Sequence, residues 1–123
     1  MRAKVISPYL DGEQIWIGLD TEGMRRKVFR FVHPGMGSEE FMAGVTVFEP
    51  GESSSVHIHS ASEEINLVLS GSGVFRCDDE DHEFGPGAMI WIPKNIYHQH
   101  SSTGTEPLQL LWIYTPQAEL PST

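Results

Sequence analysis

The stretch Gly51-Glu52-Ser53-Ser54-Ser55-Val56-His57-Ile58-His59-Ser60-Ala61-Ser62-Glu63-Glu64 sets two imidazoles one residue apart and follows them with two carboxylates. On a β-strand, residues i and i+2 point to the same face. His57 and His59 would then stand side by side, a two-armed grip for a transition metal, because neutral imidazole is the commonest biological ligand for Zn, Cu, Fe and Ni. A carboxylate returning from Glu63 or Glu64 on a neighbouring strand would add a hard oxygen. One such pair is a weak signal by itself, since a hydrogen-bonded structural histidine pair gives the same pattern. A second pair, His98-Gln99-His100, lies further along the chain.

The residues around these pairs read as all-β. Expected strands are Ser55–His59, carrying the first histidine pair, and Val28–Val32, Gly44–Phe48, Ile65–Leu69, Gly73–Cys77, Met89–Ile92, His98–Ser101 and Leu108–Tyr114. Turn signals separate them: Pro34-Gly35, Pro50-Gly51, Gly71-Ser72-Gly73, Gly85-Pro86-Gly87 and Pro93-Lys94-Asn95. Short strands at this spacing make a sandwich or barrel. A helix starting near Glu63 would be stopped by Gly71 and Gly73 within two turns.

The flanking pattern then carries more than the histidines do. Gly51, five residues, His57-x-His59, four residues, Glu64, six residues, Gly71 is followed by Gly87, five residues, Pro93-x-Asn95, two residues, His98. This order resembles the two motifs of the cupin family, G-x5-H-x-H-x3–4-E-x6-G and G-x5-P-x-G-x2-H-x3-N. Two positions depart from it: Asn95 stands where the family has glycine, and Ser102 where it has asparagine. Asn tolerates the left-handed backbone that a glycine turn position requires, so the first departure is mild.

The resemblance covers residues 41–116. It implies a conical β-barrel (a double-stranded β-helix of jelly-roll type) with one divalent metal near its mouth, held by His57, His59, Glu64 and His98. Such a set leaves two adjacent positions open on an octahedral ion, which suits Fe, Mn, Ni or Co better than Zn. Residues of Glu64's parity, Asn66 and Val68, are expected to line the interior, with Ile65, Leu67 and Leu69 facing away. His100 shares His98's face and is expected either to line the cavity or to act as a general acid/base. Arg30 and Arg76 are the candidates to reach the cavity and hold a carboxylate, against the alternative that both are surface arginines at strand ends.

Length and composition fit one domain spanning residues 1–123, with residues 1–27 as an N-terminal arm that adds an edge strand or exchanges between copies of a homodimer. The net charge of −9 argues against nucleic acid and an anionic membrane surface. The single cysteine, Cys77, allows no internal disulfide and reads as an inert thiol in a cytoplasmic protein. No apolar run approaches the length of a membrane span, and the first residues lack the pattern of a signal peptide. Asp78, Asp79, Glu80, Asp81 and Glu83 gather around His82 and read as a solvated face or turn.

Two functions are carried forward. The first is a metal-dependent enzyme that binds a small oxygen-rich substrate, by isomerase or lyase chemistry or as a dioxygenase. The alternative is a non-catalytic module that binds or senses a sugar or metabolite. A storage role is set aside, because storage cupins are long two-barrel chains that usually lack the full ligand set.

Overall fold

A computed structural model describes residues 2–121. After the single-turn helix α1 (Pro8–Asp11), nine strands follow: β1 (Glu13–Ile17), β2 (Arg26–Val32), β3 (Met42–Phe48), β4 (Glu63–Ser70), β5 (Gly73–Cys77), β6 (Glu80–Phe84), β7 (Met89–Ile92), β8 (His98–Ser102) and β9 (Leu108–Thr115). They form a six-stranded sheet in the order β1-β2-β3-β9-β4-β7 and a three-stranded sheet in the order β6-β5-β8, all pairings antiparallel. This is the expected all-β cupin architecture.

Alternation builds the interior. On β9, Leu108, Leu110, Trp112 and Tyr114 are buried and the residues between them half-buried. β4 buries Glu64, Asn66 and Val68 and turns Glu63, Ile65 and Leu69 outward, the parity that the sequence predicts. One apolar cluster gathers Ile17, Val28, Met42, Trp112 and Tyr114. A second gathers Phe48, Val68, Leu108 and Leu110, with Phe84 of the smaller sheet packed against it. The strands carrying Glu64 and His98 therefore face each other across an apolar floor.

Trp112 could not occupy its place without Gly44. A Cβ at residue 44 would stand 2.4 Å from the indole, so glycine at this point of β3 admits the ring. The indole N–H then donates to Thr46 Oγ1 at 2.9 Å.

One expectation is corrected. Residues 55–59 do not form a strand. Only Ser53 and His57 bridge to β8, opposite Ser101 and His98, and the chain between them bows away from the ladder. His57 and His98 exchange both backbone hydrogen bonds at 2.9 Å, and Ser54 N–H donates to His100 O, so β8 satisfies this segment at separated points. The acidic cluster is the turn and solvated face that the sequence suggests, with Asp78-Asp79 as the turn. Cys77 pairs with Glu80, and both turn residues have positive φ (51° and 61°), which closes a two-residue hairpin with the twist that suits its strands. The remaining acidic residues run along β6, exposed at the edge of the smaller sheet.

The N-terminal arm adds an edge strand in the same chain: β1 pairs with β2, and Arg30 of β2 bonds Glu13 of β1 at 2.7 Å. Asn95 has φ 61°, the left-handed conformation that its substitution for glycine anticipates. No helix among the described residues is long and apolar enough to cross a membrane.

Candidate metal centre

His57, His59 and His98 meet at one place. A ring nitrogen from each lies within 4.8 Å of the other two, an arrangement able to hold a metal ion. His98 sits on β8 with 1% exposure, His59 is 8% exposed, and the His57 and His98 rings are 4.3 Å apart between centroids. Although the first histidine segment is irregular, its bridge to β8 seats His57 beside His98.

Glu64 comes to the same spot from β4. Its Oε1 lies 3.2 Å from His59 Nε2 and 3.7 Å from His98 Nε2. These three buried atoms have no hydrogen-bond partner. An unsatisfied buried polar group costs about 1–3 kcal/mol, so three converging on one point are strongly destabilising unless something fills the space between them. Two imidazole nitrogens and a carboxylate oxygen share one natural common partner, a cation. The donor set present therefore fits a divalent transition metal.

The surrounding bonds orient these groups. His57 Nδ1 donates to Ser55 O and His98 Nδ1 to Ile96 O, each at 2.9 Å. A carbonyl can only accept, so both Nε2 atoms are left with lone pairs, the tautomer that a metal ligand needs. Asn66 Nδ2 donates to Glu64 Oε2 at 2.7 Å, and Asn66 Oδ1 lies 2.7 Å from His100 Nε2. Because an ionised carboxylate only accepts, this amide orientation is forced. His100 Nε2 must then carry the proton and donate, which leaves Nδ1 as its acceptor.

Burial dominates the local titration. It lowers His57 to about 4, with the neighbouring His98 adding to the effect, and it lowers His98 as well. It lowers His100 to about 3. Burial would raise the Glu64 carboxyl, but His59, His100, Asn66 and His98 together outweigh it and hold the group below the usual carboxylate value. The buried Tyr114 phenol is pushed well above 10, so its hydroxyl stays a neutral donor.

A cavity of about 30 Å³ adjoins the cluster, lined by His57, Glu64, His100, Tyr114, Arg26 and Leu120 among others. All four residues that the resemblance proposes as ligands thus converge, and His100 lines the adjoining space. The two arginines considered for the cavity do not supply its cation: Arg76 pairs with Asp81 at the surface and Arg30 with Glu13. The sequence reading missed Arg26 and Tyr114. Both lie at strand ends in register with inward neighbours, Arg26 with Val28 and Tyr114 with Trp112. That parity was the available signal. Burial and Asp78 push the Cys77 thiol up, in keeping with an inert role.

The cupin domain model matches residues 44–114, which contain the whole cluster. The chain belongs to the cupin family. This cupin is 34% identical to protein SchB of Streptomyces halstedii over 85 residues, 69% of this chain and 62% of that one. It is 27% identical to a gentisate 1,2-dioxygenase of a Ralstonia species over 99 residues, 75% of this chain and 27% of that one. It thus spans less than two thirds of either relative. A solved structure described as a predicted oxalate decarboxylase of Thermotoga maritima superposes with a TM-score of 0.79 at 20% identity, covering 93% of this cupin and all of that chain.

Proposed function

We propose that this cupin is a cytoplasmic enzyme with one divalent metal, held by His57, His59, His98 and Glu64, that acts on a small oxygen-rich molecule. The observation that carries the reading is the convergence of three buried, unpartnered ligand atoms, His59 Nε2, His98 Nε2 and Glu64 Oε1, beside a third imidazole and a cavity. Three imidazoles and one carboxylate leave open positions for a substrate, in keeping with Fe, Mn, Ni or Co rather than a closed Zn site. When bound, the metal would supply Lewis-acid chemistry or activate O₂. The gentisate dioxygenase relative supports a dioxygenase, while the same ligand set also serves isomerase or lyase chemistry.

The chain's own groups divide the remaining work. The carbonyls of Ser55 and Ile96 fix the tautomers of His57 and His98. Asn66 holds Glu64 and His100 at once. His100 offers Nδ1 as the proton-handling atom, and an anionic substrate beside it would raise its affinity for a proton. Tyr114 donates a neutral hydroxyl. A homodimer belongs to the same reading, supported by the outward side chains of Ile65, Met89 and Trp91, which are 37%, 64% and 66% exposed.

Anaerobic purification with metal identification, then O₂ uptake and product analysis on small diketones, hydroxy acids and sugars, tests this. The expected result is close to one ion per chain and turnover of one class. Less than about 0.2 ion per chain after reconstitution would overturn the metal assignment. Tight ligand binding without product, in air and without it, would favour the binding module.

A further inference from the structure

Successive residues of a strand point to opposite faces. Lys27, between the buried Arg26 and Val28, therefore turns to the outer face of the larger sheet, away from the metal cavity. Its cross-strand partners are Trp16 on β1 and Val47 on β3. Phe29 shares that face, and Tyr9 of α1 covers it edge-on, with ring centroids 5.1 Å apart. The Tyr9 hydroxyl donates to Gln109 Oε1 on β9, which ties α1 across the sheet. These groups enclose a cleft of about 650 Å³, with Trp16 and Leu19 on the far wall. Small-molecule sites span about 300–1,000 Å³, and the cavity beside the histidine cluster holds only about 30 Å³.

The charge in this cleft is unusual for the chain. Lys27 Nζ stands 5.6 Å from the Trp16 ring centroid and 5.3 Å from that of Phe29. The ring faces attract the ammonium and hold it in place. Among the described residues, no carboxylate pairs with Lys27 and no group accepts a hydrogen bond from it. The other charges nearby do not fill this role. Arg25 and Glu52 bond each other at 3.3 Å, and Glu49 lies in water past the end of β3. In a protein of net charge −9, a half-buried cation with no acid set against it is a local reversal of sign. Trp16 and Leu19 are left 49% and 61% exposed at its side. Large apolar groups grouped at the surface mark binding sites.

We propose that this cleft is a second binding site, for a small planar aromatic carboxylate whose ring lies against Trp16 and whose carboxylate takes N–H donors from Lys27. The aromatic walls select a flat apolar body, and the ammonium selects the charge. The cleft and the metal cavity lie on opposite faces of β2, so binding here needs no metal, and the inference stands apart from the metal reading above.

The test is calorimetric titration with 2-naphthoate, compared with the uncharged 2-naphthamide and the saturated decahydronaphthalene-2-carboxylate. Naphthoate is expected to bind about 10-fold more tightly than the amide, the effect of one charge-assisted hydrogen bond. It is expected to bind about 2- to 10-fold more tightly than the saturated acid, the range of an aromatic pair. Metal-free and metal-loaded protein should give the same affinity. Lys27→Gln removes the preference for the acid over the amide, and Trp16→Ala the preference for the aromatic ring. Glu49→Gln, which removes a like charge from the rim, leaves naphthoate binding unchanged or tighter. No heat from naphthoate at millimolar concentration, equal affinities for acid and amide, or a preference that survives Lys27→Gln overturns the proposal. Binding that requires the metal also overturns it, by placing naphthoate at the histidine cluster. If Trp16→Ala does not fold, Lys27→Gln, at an outward position, decides alone. Sedimentation completes the test: a wild-type dimer that dissociates on Trp16→Ala would show a second copy covering the cleft, and overturns the proposal as well.

Discussion

The two H-x-H pairs look alike in the sequence and are used differently. His57 and His59 lie on an irregular segment, yet both enter the candidate metal cluster. His98 and His100 lie on a regular strand, and there the pair divides: His98 joins the cluster, and His100 turns its Nε2 to Asn66. Their tautomers are opposite, with Nδ1–H on His98 and Nε2–H on His100, because a main-chain carbonyl fixes one and a side-chain amide the other. Spacing on a strand therefore brings two rings to one face, but the hydrogen-bond partner of each ring decides which of its nitrogens is left with a free lone pair.

The largest expected effect breaks the first half of that comparison. His98→Ala should weaken metal binding by more than about 100-fold, beyond the loss typical of an outer-shell partner, while circular dichroism still reports a folded β-protein, because the core is apolar. Unfolding on this change would mean that the metal is structural. The matched change His100→Ala should keep the metal and lower turnover by about 10²- to 10⁴-fold, the range of a general acid/base. Metal loss in that variant would place His100 among the ligands and erase the distinction. Asn66→Leu touches both pairs at once through Glu64, and a metal affinity about 10- to 100-fold weaker is expected from titration against a competing chelator.

A smaller and graded effect is expected from pH. His57, His98 and His100 all titrate lower in the fold than in the unfolded chain, at about 4 for His57 and about 3 for His100. The unfolded chain therefore takes up protons first. In metal-free protein, stability should be fully present above about pH 6.5 and fall by up to about 1.4 kcal/mol per pH unit for each group as pH drops. The loss should level off below the folded values. Glu64, held low, adds a loss of the same sign below its unfolded value. Denaturation midpoints across this window check the slope, and His100→Ala should flatten it.

The spacing from Gly51 to His98 locates every proposed ligand, because the family pattern fixes residues whose backbones must turn or whose side chains must meet. Gly71 illustrates this: at φ 81° a Cβ there would press on the Pro107 carbonyl at 2.5 Å. The backbone between the motif positions was harder to read. Ser54 and Val56 carry the composition of a strand, yet β8 bonds that segment only at separated points. Arg26 escaped notice because it lies in the basic run Arg25-Arg26-Lys27, where a solvated face is the ordinary expectation and full burial of arginine is rare. The packing of Ala118 and Leu120 against the core had only a short local signal, the alternation with Gln117 and Glu119 in a proline-bounded tail.

The acidic hairpin also governs how copies of this chain can meet. β6 ends the smaller sheet, and Glu80, Asp81, His82 and Glu83 are all exposed along it. Two such edges brought together would set carboxylate against carboxylate, a barrier to open-ended growth by strand addition. The opposite condition holds at β7, which ends the larger sheet and exposes Met89 and Trp91. The β6 edge thus repels its own likeness and the β7 edge carries no such charge, so strand addition between copies would be opposed at β6 and not at β7.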